Sequence, residues 1–443
     1  MAYSKMLKKP LNLNYFAELK KKILNKKSRI GIIGLGYVGL PLAILFSSKG
    51  YDVTGLDIDK TKIKNIKNGN SYINHISNND INKILKKKFL PTYDFSEISK
   101  LDIIILCLPT PLKKNLTPDL SHIIKTMKYI DKFLNKGQLI ILESSTYPGS
   151  TNEIIYKKFI QKKFFIGRDF FIGYSPERED PSNKKFNLQN IPKLCSGITD
   201  NCAKVTKSIY DRIVKRTVLL KNVETAEFTK IYENIYRTVN IALANEMKFL
   251  CKKLNLDIFE IINAAKTKPF GFQAFYPGPG VGGHCIPIDP YYLSWVAQKN
   301  NIDLNFVKIA GNINRKMPKW VIKNSLVKFK NIKKLKILLI GVAYKRNVDD
   351  VRESPSLDFL NIFHKMKIEC DYYDPYVKIL KSRKLNKVYK SKKISSKMLK
   401  KYHLTYILTD HDNINFKLIK DNSRNIIDTR NRFKSYSKNV IKL

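Results

Sequence analysis

A cysteine in a glycine-rich loop is the first candidate for chemistry in this 443-residue chain. The loop reads Gly282-Gly283-His284-Cys285-Ile286-Pro287-Ile288-Asp289-Pro290. Because glycines let a backbone approach a substrate closely, the Cys285 thiol could act as a nucleophile and Asp289 could transfer protons. A cysteine by itself is more often a small buried hydrophobic residue. His284 has no cluster of other metal ligands around it in the sequence, so we expect it to pack in the loop, and we expect no metal.

A second candidate is a glycine motif that follows the first apolar run of the chain. Gly34 permits a tight turn, Gly36 lets the backbone approach a pyrophosphate, and Gly39 lets the next helix pack on the strand. The N-terminus of that helix faces the phosphates. Asp57 lies 18 residues beyond Gly39, at the end of the next predicted strand. A carboxylate there binds the adenosine ribose hydroxyls and repels a 2′-phosphate, so the sequence predicts NAD rather than NADP.

Hydroxyl side chains follow two further predicted strands, over 101–108 and 138–142. Pro109-Thr110-Pro111 comes after the first strand and Ser144-Ser145-Thr146 after the second. Ligands of open α/β sheets bind beyond the carboxyl ends of the strands, so we expect Thr110 near the cofactor. The hydroxyls of the second group could either cap a helix or contact the ligand.

Two more groups of polar residues have competing interpretations. Lys230 and Asn234 share one face of a predicted long helix over 225–254, where a lysine is usually a solvated charge. The segment 344–355 contains residues of both charges, which usually form weak surface ion pairs. In the alternative interpretation, Lys345 and Arg352 of this segment bind ligand phosphates.

The apolar patterns predict the elements that must position these residues. We expect an α/β fold of two Rossmann-like lobes with mostly parallel sheets, joined by the long central helix over 225–254, roughly 45 Å at about 1.5 Å per residue. The expected segments are a lead-in over 1–28 with a helix at 15–24, a Rossmann-like domain over 29–220, a central helical region with the cysteine loop over 221–325, and a C-terminal α/β domain over 326–443. The expected strands are 29–33, 52–56, 101–108, 138–142, 170–174, 336–341, 369–373, 404–408 and 425–427.

The net charge of +45 at pH 7 raises the question of nucleic-acid binding, since basic patches attract phosphate. The lysines are spread along the chain in short clusters such as 20–22, 86–88 and 392–393. We therefore favour a solvated basic surface that attracts anionic ligands, and we expect no nucleic-acid partner.

Cysteine usage and the absence of targeting signals indicate a cytoplasmic protein. The six cysteines include no Cys-x-x-Cys pair, which argues against a zinc ribbon or a thioredoxin-type site, and reduced thiols fit the cytosol. The N-terminus is charged and lacks the apolar core of a signal peptide. No apolar run reaches the ~18 residues needed to cross a bilayer, so we expect no membrane partner.

Taken together and in order, these motifs resemble the UDP-glucose/GDP-mannose dehydrogenase family, from about Arg29 to near the C-terminus. The matching motifs are Gly34-x-Gly36-Tyr37-Val38-Gly39, Pro109-Thr110-Pro111, Ser145-Thr146, Ser175-Pro176-Glu177-Arg178, Lys230 with Asn234, Gly282-Gly283-His284-Cys285, and Lys345 through Ser354. The resemblance implies an N-terminal NAD domain, a central helical dimerisation region and a C-terminal UDP-binding domain. It also implies NAD as the cofactor, a UDP-sugar as the substrate, and a homodimer or higher oligomer.

Three longer segments resemble one branch of the family, the UDP-N-acetylglucosamine 6-dehydrogenases of bacterial O-antigen synthesis. They are 275–290, 348–355 and Ser175-Pro176-Glu177-Arg178-Glu179-Asp180-Pro181. The UDP-glucose branch typically has a small residue where His284 stands and a lysine where Ile288 stands, so both departures count against UDP-glucose. The family's second glutamate in this motif falls near Pro181, so only Glu177 takes over a family role.

The resemblance implies two successive oxidations of the sugar C6 alcohol, each using one NAD. Asp289 or a bound water takes the proton of the alcohol, and the Cys285 thiolate attacks the resulting aldehyde. The thiohemiacetal is then oxidised to a thioester. Glu177 helps water to release the carboxylate, while Lys230 and Asn234 stabilise the oxyanion.

The remaining site residues follow from the same resemblance. Thr146 joins the catalytic residues. The expected cofactor contacts are Gly34, Gly36, Tyr37, Val38, Gly39, Asp57, Pro109, Thr110, Ser145, Thr146 and Arg352. The expected substrate contacts are Glu177, Arg178, Lys230, Asn234, Tyr276, Gly282 and Lys345.

Three alternatives stay open at this point. The same reaction could act on UDP-N-acetylgalactosamine, UDP-N-acetylmannosamine or UDP-glucose. A β-hydroxyacid dehydrogenase shares the domain plan, but its single hydride transfer needs neither the cysteine loop nor a second α/β lobe. A basic nucleic-acid-binding protein would bind DNA in a salt-sensitive way, and the sequence contains no known motif for it.

Overall fold

The computed structural model of the protein describes residues 14–179, 186–329, 334–382, 386–435 and 437–443. Residues 1–13 of the predicted lead-in segment, and Asp180 and Pro181 of the motif that begins at Ser175, lie outside the described residues. The chain divides into two units, Met1–Ile231 and Tyr232–Leu443, and the division falls inside one long helix.

Eight strands form the sheet of the first unit. They are β1 (Arg29–Ile33), β2 (Asp52–Leu56), β3 (Phe89–Thr92), β4 (Ile103–Leu106), β5 (Leu139–Leu142), β6 (Phe171–Tyr174), β7 (Lys193–Gly197) and β8 (Thr217–Leu219). Their order is β3-β2-β1-β4-β5-β6-β7-β8, and only the β6/β7 pair is antiparallel. The strand order changes direction between β1 and β4, which is where open α/β sheets bind their ligands.

Apolar strand composition explains why this sheet is central. Strands β4 and β5 consist entirely of isoleucine and leucine, and every residue in them is buried. β-branched and apolar side chains suit a parallel sheet that is covered by helices on both faces.

The α-helices around this sheet are α1 (Tyr15–Leu24), α2 (Gly39–Ser48), α3 (Lys60–Lys67), α4 (Asn78–Leu85), α5 (Ser121–Ile130) and α6 (Asp200–Tyr210), followed by the long α7 (Val223–Leu254). A π-helix spans Thr151–Ile160, and short 3-10 helices span Phe95–Lys100 and Asp131–Phe133. Asn14 caps the N-terminus of helix α1, because its side chain accepts a hydrogen bond from the Ala17 amide at 3.1 Å. Its apolar residues Leu19 and Ile23 are buried in the main core of this unit, so the lead-in helix is part of that core.

Five parallel strands form the main sheet of the second unit, in the order β10-β9-β13-β14-β15. The strands of this unit are β9 (Lys336–Ile340), β10 (Glu369–Tyr373), β11 (Ile379–Ser382), β12 (Lys387–Lys390), β13 (Leu404–Ile407), β14 (Ile426–Asp428) and β15 (Val440–Lys442). Strands β11 and β12 pair separately as an antiparallel hairpin. The helices are α8 (Ile258–Ala265), α9 (Asp289–Lys299), α10 (Asn305–Leu326), α11 (Pro355–Lys365), α12 (Ser396–Leu399) and α13 (Phe416–Asn422), with a 3-10 turn at Val327–Phe329.

Alternate residues of β9 enter different hydrophobic clusters. Ile337 and Leu339 belong to one cluster, while Leu338 and Ile340 belong to the other. Successive side chains of a strand point to opposite faces of the sheet, so apolar side chains cover both faces of this sheet.

The predicted α/β fold class with mostly parallel sheets is confirmed. The helix over 15–24 and the strands over 29–33, 52–56 and 369–373 have the predicted bounds, and α7 begins only two residues before the predicted 225.

The strand predicted over 101–108 is shorter than expected, because its ends bond elsewhere. The Leu101 amide donates to the Ile98 carbonyl at 3.2 Å, and the Leu108 amide donates to the Ser144 hydroxyl at 2.9 Å. The prediction omitted the short strands β3, β7, β8, β11, β12 and β15. In the part of the chain that the structure describes, no helix has the length and apolarity needed to span a membrane.

Candidate active site

The glycine loop after β1 has the conformation that the motif requires. Gly34 has φ +95°, in the region that favours glycine, and a Cβ on Gly39 would lie 1.9 Å from the Gly34 carbonyl oxygen. A Cβ on Gly36 would meet nothing within 4 Å. The close approach of Gly39 to Gly34 explains how helix α2 packs on strand β1. The open space beside Gly36 fits the approach of a pyrophosphate to the backbone.

Asp57 lies directly after β2, buried, with both carboxylate oxygens engaged. One oxygen accepts the Leu35 amide at 2.9 Å and the Lys62 ammonium at 3.0 Å, while the other accepts the Asp59 amide at 2.9 Å. The acid therefore holds the glycine loop, as well as being placed where a ribose is expected. Sequence reasoning missed Lys62, although its position five residues after Asp57 was a usable signal.

The hydroxyl groups beyond β4 and β5 divide into two kinds. Thr110 donates to the Ser145 carbonyl at 2.8 Å, and Ser144 bonds to both the amide and the carbonyl of Leu108. These groups join the two strand ends. The Thr146 hydroxyl is buried and has no hydrogen-bond partner among the described residues. A buried hydroxyl of this kind costs free energy, which suits a group that bonds to a ligand.

The other predicted cofactor contacts lie around the same loop. Tyr37 and Val38 are half-buried in the glycine turn, and the Tyr37 ring stacks on His75 with centroids 6.0 Å apart. Pro109 is exposed and Ser145 is half-buried.

The loop after β6 places Glu177 in a network of donors. One carboxylate oxygen accepts the amides of Arg178 at 2.6 Å and Glu179 at 2.5 Å, and the other accepts the Lys193 ammonium at 3.3 Å. The Arg178 guanidinium donates to the Pro192 carbonyl at 2.7 Å. The motif is therefore fixed by its own backbone and by β7.

Lys193 is a functional candidate that sequence reasoning missed. Its ammonium donates to the fully buried Glu143 at 2.7 Å, and Glu143 also accepts the Tyr210 hydroxyl. Burial by itself would lower the pKa of Lys193, but the negative charges of Glu143 and Glu177 outweigh it and raise that pKa. The lysine therefore stays charged. The sequence signal for this pair was Glu143, because a charged residue directly after the apolar strand β5 needs a buried partner.

A second missed residue, Glu227 on α7, binds the turn that begins the π-helix at Thr151. Its carboxylate accepts the amides of Gly149 at 2.6 Å and Thr151 at 2.9 Å, together with the hydroxyls of Ser150 and Thr151. Four donors on one buried carboxylate account for the position of this turn, directly after the predicted ligand hydroxyls.

In the second unit, the cysteine loop lies against the segment 344–355. The Gly283 amide donates to the Arg352 carbonyl at 3.0 Å. A Cβ on Gly282 would lie 2.7 Å from the Tyr344 Cβ and 2.8 Å from the Glu353 carbonyl oxygen. The structure thus brings together two motifs that are about 60 residues apart in the sequence, and it explains why glycine is needed at both positions.

Asp289, the predicted proton-transfer residue, is held by α7. Its carboxylate accepts the Asn234 side-chain amide at 2.6 Å, and both residues are buried. The Asp289 amide donates to the Cys285 carbonyl at 2.8 Å, so the half-buried cysteine is one turn before α9. This contact brings together two residues that the sequence analysis assigned to catalysis.

Lys230 is only 8% exposed, so the interpretation of it as a solvated surface charge is wrong.

Helix α7 also holds the segment just before the cysteine loop, because the buried Asn245 side chain accepts the Gly278 amide at 3.0 Å. Tyr276 is exposed, stacks on Phe259 and donates its hydroxyl to Asn263 at 2.9 Å.

The charges around the loop have different environments. Burial and the charge of Arg352 lower the pKa of His284 to about 4, so this imidazole is neutral near pH 7. Arg352 forms a paired contact with Asp350 at 2.7 to 3.0 Å, as the surface-pair interpretation expects. Its side chain remains 46% exposed, and Lys345 is half-buried.

Among the described residues, no group of three His, Cys, Asp or Glu side chains is arranged to hold a metal ion.

Three segments of the chain match successive domains of one family. The NAD binding domain of the UDP-glucose/GDP-mannose dehydrogenase family matches residues 28–214, the central domain matches 224–316, and the UDP binding domain matches 338–435. The chain belongs to this family. The resemblance predicted from the motifs is confirmed, and the chain is an NAD-dependent dehydrogenase.

Two relatives and a solved structure illustrate the similarity. The chain is 36% identical over 360 residues to the UDP-N-acetyl-D-mannosamine dehydrogenase of Pyrococcus horikoshii, across 79% of this chain and 84% of that protein. It is 34% identical over 355 residues to the UDP-N-acetyl-D-glucosamine 6-dehydrogenase of Salmonella typhi, across 79% and 82%. The structure of the Pyrococcus horikoshii UDP-N-acetylmannosamine dehydrogenase has a TM-score of 0.83 at 32% identity, covering 94% of this chain and 98% of that chain.

The two glycines of the dinucleotide loop should respond differently to alanine. Gly39→Ala should lower the free energy of unfolding by about 1–3 kcal/mol through overpacking against Gly34. Gly36→Ala should change it by less than about 0.5 kcal/mol but weaken NAD binding, because its methyl group enters the space beside the pyrophosphate. Urea unfolding and calorimetric NAD titration measure both effects. Equal destabilisation, or an unchanged NAD affinity in Gly36→Ala, would contradict this account.

Proposed function

We propose that the protein oxidises the C6 hydroxyl of UDP-N-acetylglucosamine to a carboxylate in two NAD-dependent steps, through a thioester on Cys285. The main support is the contact of the cysteine loop with the segment 344–355, together with the bond from Asn234 to Asp289. A nucleophile, a buried carboxylate and a segment with candidate phosphate ligands thereby belong to one folded unit. We place the enzyme in the cytoplasm, where its product serves surface polysaccharide or O-antigen precursor synthesis.

UDP-N-acetylmannosamine is the second candidate substrate. Relatives with similar identity to this chain are named for each sugar: the Salmonella typhi and Pseudomonas aeruginosa proteins for N-acetylglucosamine, and the Pyrococcus horikoshii protein for N-acetylmannosamine. Both sugars carry a 2-acetamido group and differ in the configuration of one carbon. The preference for N-acetylglucosamine rests on the motifs around Glu177 and Cys285.

NAD would be held by the glycine loop, by Asp57 and by the hydroxyls of Thr110, Ser145 and Thr146, and would accept one hydride in each oxidation. The open space at Gly36 and the unpartnered Thr146 hydroxyl both fit such a ligand. Tyr37, Val38 and Pro109 complete the proposed contacts, and Arg352 binds cofactor phosphate with the exposed part of its guanidinium.

Cys285 and Asp289 have separate roles in the two oxidations. Asp289, or a water bound to it, receives the proton of the C6 alcohol, and the Asn234 amide keeps the carboxylate in place. The Cys285 thiolate then forms a bond to the aldehyde carbon, so the aldehyde is held as a thiohemiacetal until the second oxidation produces the thioester. The buried Lys230 and Asn234 donate hydrogen bonds to the oxygen that gains negative charge, where one donor can contribute about 3–4 kcal/mol.

The remaining roles concern hydrolysis and substrate recognition. Glu177 activates the water that attacks the thioester, and Thr146 orients the reacting group. Arg178, Tyr276, Gly282 and Lys345 bind the UDP-sugar, with Lys345 acting as a charged donor to the substrate.

We also propose that α7 joins two copies of the chain. Large apolar side chains are exposed along one side of this helix at spacings of three, four and seven residues. They are Tyr232, Tyr236, Leu243, Met247, Leu250 and Leu254. A row of this kind favours pairing with an equivalent row on a second helix.

The substrate assignment is tested by counting NADH formed per sugar consumed. With excess NAD, UDP-N-acetylglucosamine should yield two NADH per sugar and UDP-glucose almost none. UDP-N-acetylmannosamine, UDP-N-acetylgalactosamine and UDP-glucose are the comparison sugars. A clear preference for one of them would replace the assigned sugar, and one NADH per sugar would contradict the double oxidation.

The covalent scheme is tested by Cys285→Ser, with Cys370→Ser as a matched control. The first variant should form no acid product and should still bind NAD, because serine cannot form the thioester, and the control should keep the wild-type activity. Product analysis by mass spectrometry and NAD titration measure the two effects. Acid production by Cys285→Ser at the wild-type rate would rule out the covalent scheme.

The α7 interface is tested by Leu243→Glu combined with Leu250→Glu. Charges in an apolar interface should shift the particle from two or more copies to one, as measured by light scattering. Tyr129→Glu with Phe165→Glu changes two exposed residues of the first unit and should leave the assembly intact. A single-copy wild-type protein would refute the proposal.

A further inference from the structure

A buried lysine connects the proposed hydrolytic residue to the interior of the first sheet. The Lys193 ammonium lies 2.7 Å from a Glu143 oxygen and 3.3 Å from a Glu177 oxygen. The Lys193 side chain is 5% exposed and the Glu143 side chain 0%. Both distances permit charge-assisted hydrogen bonds, so one cation serves two carboxylates.

Lys193 and Glu143 are held in the packed interior of the first unit. Lys193 is the first residue of β7, and Glu143 directly follows β5. The second oxygen of Glu143 accepts the hydroxyl of the fully buried Tyr210. Glu143 therefore has a partner on each oxygen, and the ammonium is held between groups that leave a packed core only at high cost.

The outer part of the network is the loop after β6, which the Arg178 guanidinium also holds through the Pro192 carbonyl. Glu177 follows the end of β6, and two successive amides, of Arg178 and Glu179, bond to one of its oxygens. The other oxygen faces Lys193. These amides belong to the same loop as Glu177, so among the described residues Lys193 is the contact that ties the Glu177 carboxylate itself to the sheet.

We propose that Lys193 is a positioning residue for Glu177, and that hydrolysis of the Cys285 thioester depends on it. The inference rests on the proposed function, in which Glu177 activates the attacking water. In this proposal Lys193, whose side chain is 5% exposed, acts through Glu177 and not on the substrate. It fixes the orientation of the Glu177 carboxylate, because the same ammonium is held in place by the buried Glu143.

The step that depends on this contact is the release of the acid. The water oxygen forms a bond to the thioester carbonyl carbon, and the carbon–sulfur bond breaks. Sulfur leaves with the bonding electron pair as the Cys285 thiolate. The proton lost by the water passes to Glu177 and then to solvent, so the step needs no oxidant or reductant.

The test uses full-length Lys193→Met, with Lys207→Met on the exposed part of α6 as the matched control. Lys193→Met should form the first NADH of each turnover normally, while thioester hydrolysis slows by about 100-fold, as expected when a catalytic group is displaced by about 1 Å. Covalently bound sugar should then accumulate on Cys285 during turnover, as seen by rapid quenching and intact-protein mass spectrometry. The UDP-sugar with the highest turnover in the panel is the substrate.

Two further variants separate positioning from folding. Lys193→Met with Glu143→Gln removes the unpaired buried charge that could unfold the single variant, and it should accumulate the same covalent species. Lys193→Arg keeps the cation and should recover part of the hydrolysis rate. Variants that fold but show no more covalent species than Lys207→Met would overturn the inference, as would an equal slowing of the first NADH.

Glu177→Gln distinguishes this failure from a failure of the proposed function. If Glu177→Gln accumulates the covalent species and the Lys193 variants do not, only the role of Lys193 is wrong. If no variant forms a covalent species on Cys285, including Glu177→Gln, the thioester scheme and the inference both fail.

Discussion

The structure depends on close backbone approach at a few glycines. In the first unit, Gly39 packs so near the Gly34 carbonyl that no side chain fits, and this contact sets helix α2 onto strand β1. In the second unit, Gly282 and Gly283 play the same part against Tyr344. Each contact lets one backbone segment pack directly on another part of the fold, because only a residue without Cβ allows that distance.

Buried charges reinforce these supports. Asp57 holds the glycine loop through the Leu35 amide, Glu227 holds the turn at Thr151, and the Asn234 amide holds Asp289. Each carboxylate is buried, and each has donors that offset the cost of removing it from water. Such a group stabilises the observed arrangement of its loop, because losing these donors would leave a buried carboxyl group without hydrogen bonds.

Long helices extend this support to distant parts of the sequence. Helix α7 contains Glu227 near its start and Asn234 and Asn245 further along, and each of these residues bonds to a different loop. The same helix exposes its apolar row. One uninterrupted helix of 32 residues therefore combines contacts to three loops with the surface proposed for assembly.

The sequence by itself determined the class of the fold and most of its strands, because apolar runs and glycine positions depend on local physics. It also determined the family, because seven motifs follow one another in the family's order, from the loop at Gly34 to the segment 345–354.

Only the tertiary structure decided which distant polar residues meet. The helical pattern around Lys230 favoured a surface charge, although the family resemblance implied a catalytic role, and the fold buries this lysine. The signal for Lys193 was indirect, because it came from the glutamate after β5 and not from the residues around Lys193. The pairing of Lys193 with Glu143 and Glu177 arises because β5, β6 and β7 are neighbours in one sheet. Strand order, set by packing across the whole unit, brings such residues together, and no periodicity along the chain records it.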